Sequence, residues 1–293
     1  MFKEHCKSNK GEIFLNTQDY FDLSGRTAII TGGAGLLGVK HAEALLDFGA
    51  NCILVDINCA ALEKAVKGLS ERATGSCYVR GEVADITSPE SVAILLEKSI
   101  KEFDAIDILI NNAANNPKYE NVSGAKDLSK RFETYPLEAW DDDVSVGLTG
   151  SFLCSRIIGT HMADNHKGVI LNISSDLGVI APDQRLYKKD GLTDNEQPTK
   201  PVTYSVVKSG LIGLTKYIAT YWADCGVRAN ALVPGGVYAG QDEVFLKRIS
   251  NLIPMGRMAE PDDYKAAVVF LCSEASAYMT GSVLVVDGGR TCW

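Results

Sequence analysis

Cysteine pairs at metal or redox spacing are missing from this chain, as are a net positive charge and any apolar run long enough to cross a bilayer. The eight cysteines (positions 6, 52, 59, 77, 154, 225, 272 and 292) are scattered, with no C-x-x-C and no zinc-ligand spacing. No metal is therefore expected. Several of them fall in strand-like or helical apolar runs, where a thiol behaves as a small hydrophobe, and they are read as reduced. The balance of 29 basic against 37 acidic residues gives a net charge of −8. That excludes a nucleic-acid surface and a general attraction to anionic membranes, so any anionic ligand must be held by local groups. No stretch reaches the roughly eighteen apolar residues of a membrane span. The opening residues, Met1 to Ser8, lack the apolar core of a signal peptide, and the expected location is the cytoplasm.

What the chain has is alternation. Short apolar runs at 27–31, 51–56, 77–83, 106–110, 168–173, 227–233 and 283–286 are separated by stretches with helical spacing, including 59–73, 88–103 and 138–163. Ser88 followed by Pro89 is a helix start. Val207, Leu211, Leu214, Ile218 and Trp222 recur at three- and four-residue spacing, and Gly226 suits the end of that helix. Strands apolar on both faces, alternating with helices, predict βαβ units. The expected fold is α/β: a single doubly wound Rossmann-type domain with a parallel seven-stranded sheet and helices on both faces. Residues 1–22 read as a polar N-terminal arm and 23–293 as the domain.

Gly32, Gly35 and Gly38 lie directly between the first strand and its helix. Glycines there let the backbone turn tightly and approach a pyrophosphate, which the helix N-terminus stabilises. Asp56 ends the next strand, where a carboxylate accepts from the adenosine ribose hydroxyls. It would meet a 2′-phosphate as a like charge, and Ile57 and Asn58 offer no cation, so NAD is favoured over NADP. Tyr204 and Lys208 are four apart and share a helix face. A phenol beside an ammonium is a candidate proton donor and acceptor, because a nearby cation favours the phenolate.

In this order Thr31, Gly32 to Gly38, Asp85-Ile86, Asn111 to Ala114, Asn172 to Ser175, Tyr204 with Lys208, Pro234-Gly235 and Asp287 to Gly289 resemble the short-chain dehydrogenase/reductase family over about 23–289. The resemblance implies that Ser175 hydrogen-bonds the reacting oxygen and that Tyr204 is the general acid/base. It implies that Lys208 lowers the Tyr204 pKa and binds the nicotinamide ribose. It adds Leu37 and Ile57 to the cofactor-binding residues, with Asp85 and Ile86 at the adenine and Asn112 and Ala113 at the ribose-side wall. Pro234, Gly235 and Val237 fall in the nicotinamide-side loop. It also implies a homo-oligomer, dimer or tetramer, built partly on the Tyr204 helix, whose Ser209, Gly210 and Gly213 allow close approach. The position of the tail Arg290 to Trp293 leaves it free to reach a neighbouring subunit.

Departures from the family pattern are equally informative. Gly147 stands where an Asn is expected to hold a water in the proton relay, and Ala239 where a Thr often touches the cofactor. The glycine spacing is that of sugar-nucleotide epimerases and dehydratases of the superfamily, but only 85 residues follow Lys208, ending in the Asp-Gly-Gly of compact members. Two insertions, about 115–136 and 181–202, are expected at the C-terminal ends of the strands, where such sheets bind ligands. Within the second, Arg185, Lys188 and Lys189 read either as a grip for phosphate or carboxylate or as a solvated basic turn. Asn, Gln and Tyr in both insertions suit a polyhydroxylated ligand, and the phrase Ser175 to Tyr187 is similar to oxidoreductases of bacterial surface-sugar pathways, flagellin-glycan and legionaminic-acid types. The expected activity is hydride transfer between NAD(H) and a secondary alcohol or ketone of a sugar derivative. The alternatives are an NAD-retaining epimerase or dehydratase, and a nucleotide-binding protein without turnover.

Overall fold

The computed structural model describes residues 16–73, 77–115 and 131–293. Most of the first insertion and of the arm lies outside them. The seven apolar runs form strands β1 (Thr27–Thr31), β2 (Asn51–Asp56), β3 (Val79–Val83), β4 (Ile108–Asn111), β5 (Gly168–Ile173), β6 (Val227–Pro234) and β7 (Val283–Val286). They pair in parallel in the order β3-β2-β1-β4-β5-β6-β7. Every residue of β1, β4 and β5 is buried, because helices cover both faces. One layer holds α1 (Leu36–Asp47), α2 (Cys59–Arg72) and α8 (Lys265–Cys272). The other holds α3 (Pro89–Phe103), α5 (Gly150–Asp164) and α6 (Val202–Tyr221). The remaining helices are α4 (Leu137–Val144), in front of α5, and α7 (Glu243–Ser250). None of the described helices is long and apolar enough to cross a membrane.

Local chemistry explains the starts and stops. Ser88 caps α3 by accepting from Ser91 N at 3.2 Å, with Pro89 at the first position. Asn58 caps α2 through Ala61 N at 3.0 Å. Gly226, at φ +72°, closes the turn after α6. The stretch expected as one helix over 138–163 is broken by a π turn at Ser145–Thr149, with Gly147 buried inside it. Such turns cluster at functional sites, and this one faces α6.

The sheet reverses its winding at β1, between β2 and β4, and this opens the crevice where ligands bind in such sheets. Beside it a buried polar ladder ties the layers together. Asn111 donates to Ser155 Oγ at 2.9 Å and to Asn172 Oδ1 at 2.8 Å, and Asn172 donates to Thr215 Oγ1 at 2.8 Å. The ends of β4 and β5 are thereby pinned to α5 and α6.

One buried group makes stability depend on pH. His41, on α1, is fully enclosed, and burial pushes its pKa from 6.5 to about 4, against a smaller opposing effect of Asn112. The unfolded chain binds this proton more readily, so stability is unaffected above pH 6.5 and is lost as pH falls towards 4. The loss is about 1.4 kcal/mol per pH unit, about 3 kcal/mol in all. Urea unfolding at pH 7.5 and pH 5 is expected to show a steeper loss for the wild type than for His41→Leu. Equal slopes would contradict the assignment.

Candidate active site

The glycine turn is built by contacts that exclude side chains. Gly32 has φ +60°, and a Cβ there would stand 2.9 Å from the Ala113 backbone. A Cβ at Gly38 would be jammed against the Gly32 carbonyl. Asn112 fixes the turn to β4, donating to the Thr31 and Gly32 carbonyls, each at 3.1 Å. The Asp56 carboxylate accepts from Ala34 N at 3.3 Å and Asn58 N at 3.1 Å, which aims it at the mouth of the turn.

From this turn a cleft of about 540 Å³ runs across the C-terminal ends of the strands to α6 and α7. That is within the range of ligand sites, roughly 300–1,000 Å³. Its wall contains Gly32, Gly35, Leu37, Asp56, Asn112 and Ala113 at one end. Pro234, Gly235, Val237 and Ala239 line its middle, and Ser175, Tyr204 and Lys208 its far end. Gly38 lies behind the turn, while Ile57, Asp85 and Ile86 stand outside the lining. Ile57 is exposed, Asp85 binds Thr87, and Ile86 packs against Gly150. A turn that no Cβ can enter, with a carboxylate beyond it, fits a pyrophosphate and a ribose diol.

The end of β5 is latched to α6. Ser174 Oγ donates to the Lys208 carbonyl at 2.7 Å, and Lys208 Nζ donates to the Ile173 carbonyl at 2.8 Å. Lys208 is buried, and burial together with the nearby Lys200 charge brings its pKa down to about 8. The phenol of Tyr204 departs from expectation. Burial pushes its pKa up, the Ser175 side chain pulls it down and the Asp176 charge pushes it up again. The Lys208 ammonium is 5.8 Å from the Tyr204 ring centroid and engaged with the Ile173 carbonyl. The cation on the ring is Lys200, at 3.8 Å from the centroid. In so enclosed a place, burial opposes the charged forms of both groups.

Three residues of this end had no signal in the sequence pattern. Asp176 and Arg290 form a buried ion pair at 2.6 Å in the cleft wall. The tail thus turns inward at Arg290, although Trp293 is exposed. Lys200, at the close of the second insertion, lines both the cleft and a cavity of about 20 Å³ behind Tyr204.

The second insertion is a wall folded onto α7. Leu186 is buried with Ile249, Ile253 and Met258, the Tyr187 and Phe245 rings meet at 5.8 Å, and Arg248 binds the Leu186 and Lys188 carbonyls. Arg185 closes on Asp183 at 2.7 Å and Lys188 on Asp194 at 3.5 Å. Neither these two nor Lys189 line the cleft, so the solvated turn is the reading this geometry favours. Of the first insertion, Arg131 reaches the Asp194 carbonyl at 2.9 Å, and the rest lies largely outside the described residues.

The chain matches known proteins over most of its length. Residues 26–187 match the model of the short chain dehydrogenase family, and 193–291 match that described as enoyl-(acyl carrier protein) reductase. The chain is 32% identical over 276 residues to D-threitol dehydrogenase of Mycolicibacterium smegmatis, covering 92% of this chain and 95% of that one. It is 31% identical over 285 residues to galactitol 2-dehydrogenase (L-tagatose-forming) of Cereibacter sphaeroides, covering 95% and 100%. A gluconate 5-dehydrogenase from Burkholderia cenocepacia, solved with NADP and tartrate, superposes with a TM-score of 0.80 at 25% identity, covering 95% of this chain and 100% of that one.

Proposed function

The chain belongs to the short-chain dehydrogenase/reductase family and is an oxidoreductase; from that premise we propose that it acts with NAD on a secondary hydroxyl of a polyol or sugar derivative. The observation carrying this reading is convergence: the glycine turn, Asp56, Ser175, Tyr204 and Lys208 line one cleft. The dehydrogenases of threitol and galactitol among its relatives support a polyhydroxylated substrate. The narrower surface-sugar likeness of the second insertion supports a sugar derivative within that class.

In this reading Gly32, Gly35 and Leu37 hold the pyrophosphate end of the dinucleotide and Asp56 its adenosine ribose. Asp85 and Ile86 flank the adenine, and Pro234, Gly235 and Val237 the nicotinamide. When bound, nicotinamide accepts a hydride from, or returns it to, the carbon bearing the reacting oxygen. Tyr204 Oη exchanges the proton of that oxygen, Ser175 Oγ orients it, and Lys208 places a charge and a donor below the phenol. With its pKa held up by burial, the phenol keeps its proton at rest and is poised to donate to a ketone. In the oxidising direction the same oxygen must first release that proton. A homo-oligomer is part of the proposal, since α6 presents exposed Ser209 and Gly213 and the stacked rings of Tyr217 and Tyr221.

A panel of tetritols, pentitols, hexitols, aldonates and amino-sugar derivatives, scored by NADH absorbance, tests the reading; silence across all of them would remove its support. The cofactor has its own test. Asp56 meets a 2′-phosphate as a like charge, so kcat/KM with NAD is expected to exceed that with NADP by about 100-fold or more, equivalent to about 2.7 kcal/mol. Asp56→Ala with Ile57→Arg is expected to reverse most of that ratio. An NADP preference in the wild type would refute the choice.

A further inference from the structure

Ser175 is followed directly by a carboxylate that faces the same end of the cleft. Asp176 is 2% exposed and Arg290 7%, and Arg290 Nη1 lies 2.6 Å from Asp176 Oδ2. The other carboxylate oxygen accepts from Ser175 Oγ at 2.8 Å and from Leu177 N at 2.8 Å. The tail is folded to deliver this arginine. Gly288 and Gly289 both adopt positive φ, and the Asp287 carboxylate accepts from Gly289 N at 2.8 Å and Thr291 N at 2.7 Å. Burying two opposite charges gains little stability over apolar residues of the same size. The pair is therefore better explained by what it does to its neighbour.

We propose that Asp176 and Arg290 are a positioning pair for Ser175: the carboxylate accepts the Ser175 hydroxyl's hydrogen bond, leaving Oγ as an acceptor that faces the cleft and receives a substrate hydroxyl, and Arg290 supplies the counter-charge. A hydroxyl has one proton and two lone pairs; with the proton donated to Asp176 and one lone pair accepting from Leu177 N at 3.2 Å, the other lone pair remains for the ligand. The site then favours a substrate that donates at this point, as a diol or polyol does. This rests on the proposed dehydrogenase reading of Ser175 and Tyr204. It goes beyond it in making the last turn of the chain part of the active site.

The charged and titratable groups around Asp176 and its partner are Arg290 from the tail, Asp183 and Tyr187 from the second insertion, Tyr204 from α6, and Tyr264 before α8. Of these, Arg290 alone is bonded to the carboxylate. Arg290→Gln keeps a polar side chain of similar length and leaves the buried carboxylate without its counter-charge. The variant is expected to lose at least about 10-fold in kcat/KM, measured with the fastest polyol. Arg290→Lys is expected to restore part of that loss. The neutral double variant Asp176→Asn with Arg290→Gln is expected to be slower than wild type. Thermal melts, which need no substrate, are expected to show a larger deficit for Arg290→Gln than for the double variant, which buries no unpaired charge.

Wild-type kcat/KM in Arg290→Gln would overturn the proposal. If that variant does not fold, wild-type rates in the double variant would do so. Tyr204→Phe and Ser175→Ala are measured alongside. If they are inactive while the Arg290 variants behave as wild type, the positioning role fails and the dehydrogenase reading stands; an active Tyr204→Phe removes the reading itself.

Discussion

Tyr204→Phe is expected to lower kcat by about 1,000-fold or more while NADH binds within about twofold of wild type. Removing one oxygen deletes the hydroxyl that, in the proposed function, exchanges the proton of the reacting oxygen. Ser175 donates its hydroxyl hydrogen bond to Asp176, and Lys208 donates to the Ile173 carbonyl. Positioned acid–base groups contribute about 10²- to 10⁴-fold, and Tyr204 is placed to supply most of that. The rest of the side chain survives the change. The ring still lies under Lys200 at 3.8 Å, and the Ser174 and Lys208 bonds that latch α6 to β5 do not involve the phenol oxygen. The melting temperature is therefore expected to hold. Quenched NADH fluorescence titration separates binding from turnover, and a variant with the wild-type rate would defeat the assignment. Loss of NADH binding in parallel with activity would instead signal a collapsed cleft.

The fold was legible because each strand is a short run apolar on both sides, bounded by turn residues, and a chain alternating such runs with helices has few other ways to bury them. The glycine turn was legible because only glycine satisfies a positive φ at position 32 and the backbone contact at position 38. The Tyr204 and Lys208 pair was legible as spacing, but its electrostatics was not. A four-residue interval says that two side chains share a helix face; it does not say that the ammonium turns to the Ile173 carbonyl, nor that Lys200 folds back over the ring. The Asp176–Arg290 pair joins positions 114 apart, and neither residue carries a local pattern that points to the other. Arg185 and Lys188 drew attention as a basic run, yet each closes on an acid in its own loop. Charge in a loop is readable from sequence; its partner is a product of packing.

Gly147→Asn tests whether the missing Asn of the family pattern can simply be put back. A Cβ at position 147 would lie 2.5 Å from Val207 Cγ1, well inside contact distance. Val207 is 4% exposed and sits on α6, and a β-branched side chain within a helix has one strongly preferred rotamer, so it does not swing aside freely. Overpacking of this kind costs about 1–3 kcal/mol. The strain has two outlets, the π turn at Ser145–Thr149 and the α6 segment that carries Tyr204 and Lys208. Movement of α6 by about 1 Å would cost activity on the order of 100-fold. The added amide would also enter the cavity of about 20 Å³ shared by Asp143, Gly147, Lys200, Thr203, Tyr204 and Lys208, a volume with room for about one water. Val207→Ala removes the obstructing methyl groups. The double variant is expected to recover at least 10-fold of the lost activity, with a favourable coupling of about 1 kcal/mol or more in a double-mutant cycle of stabilities. Wild-type activity in Gly147→Asn alone, or strict additivity in the cycle, would show that the 147 position is free to change. Recovery in the double variant would mean that Gly147 and Val207 form one packed unit, so that the glycine is the price of a valine placed between Tyr204 and Lys208.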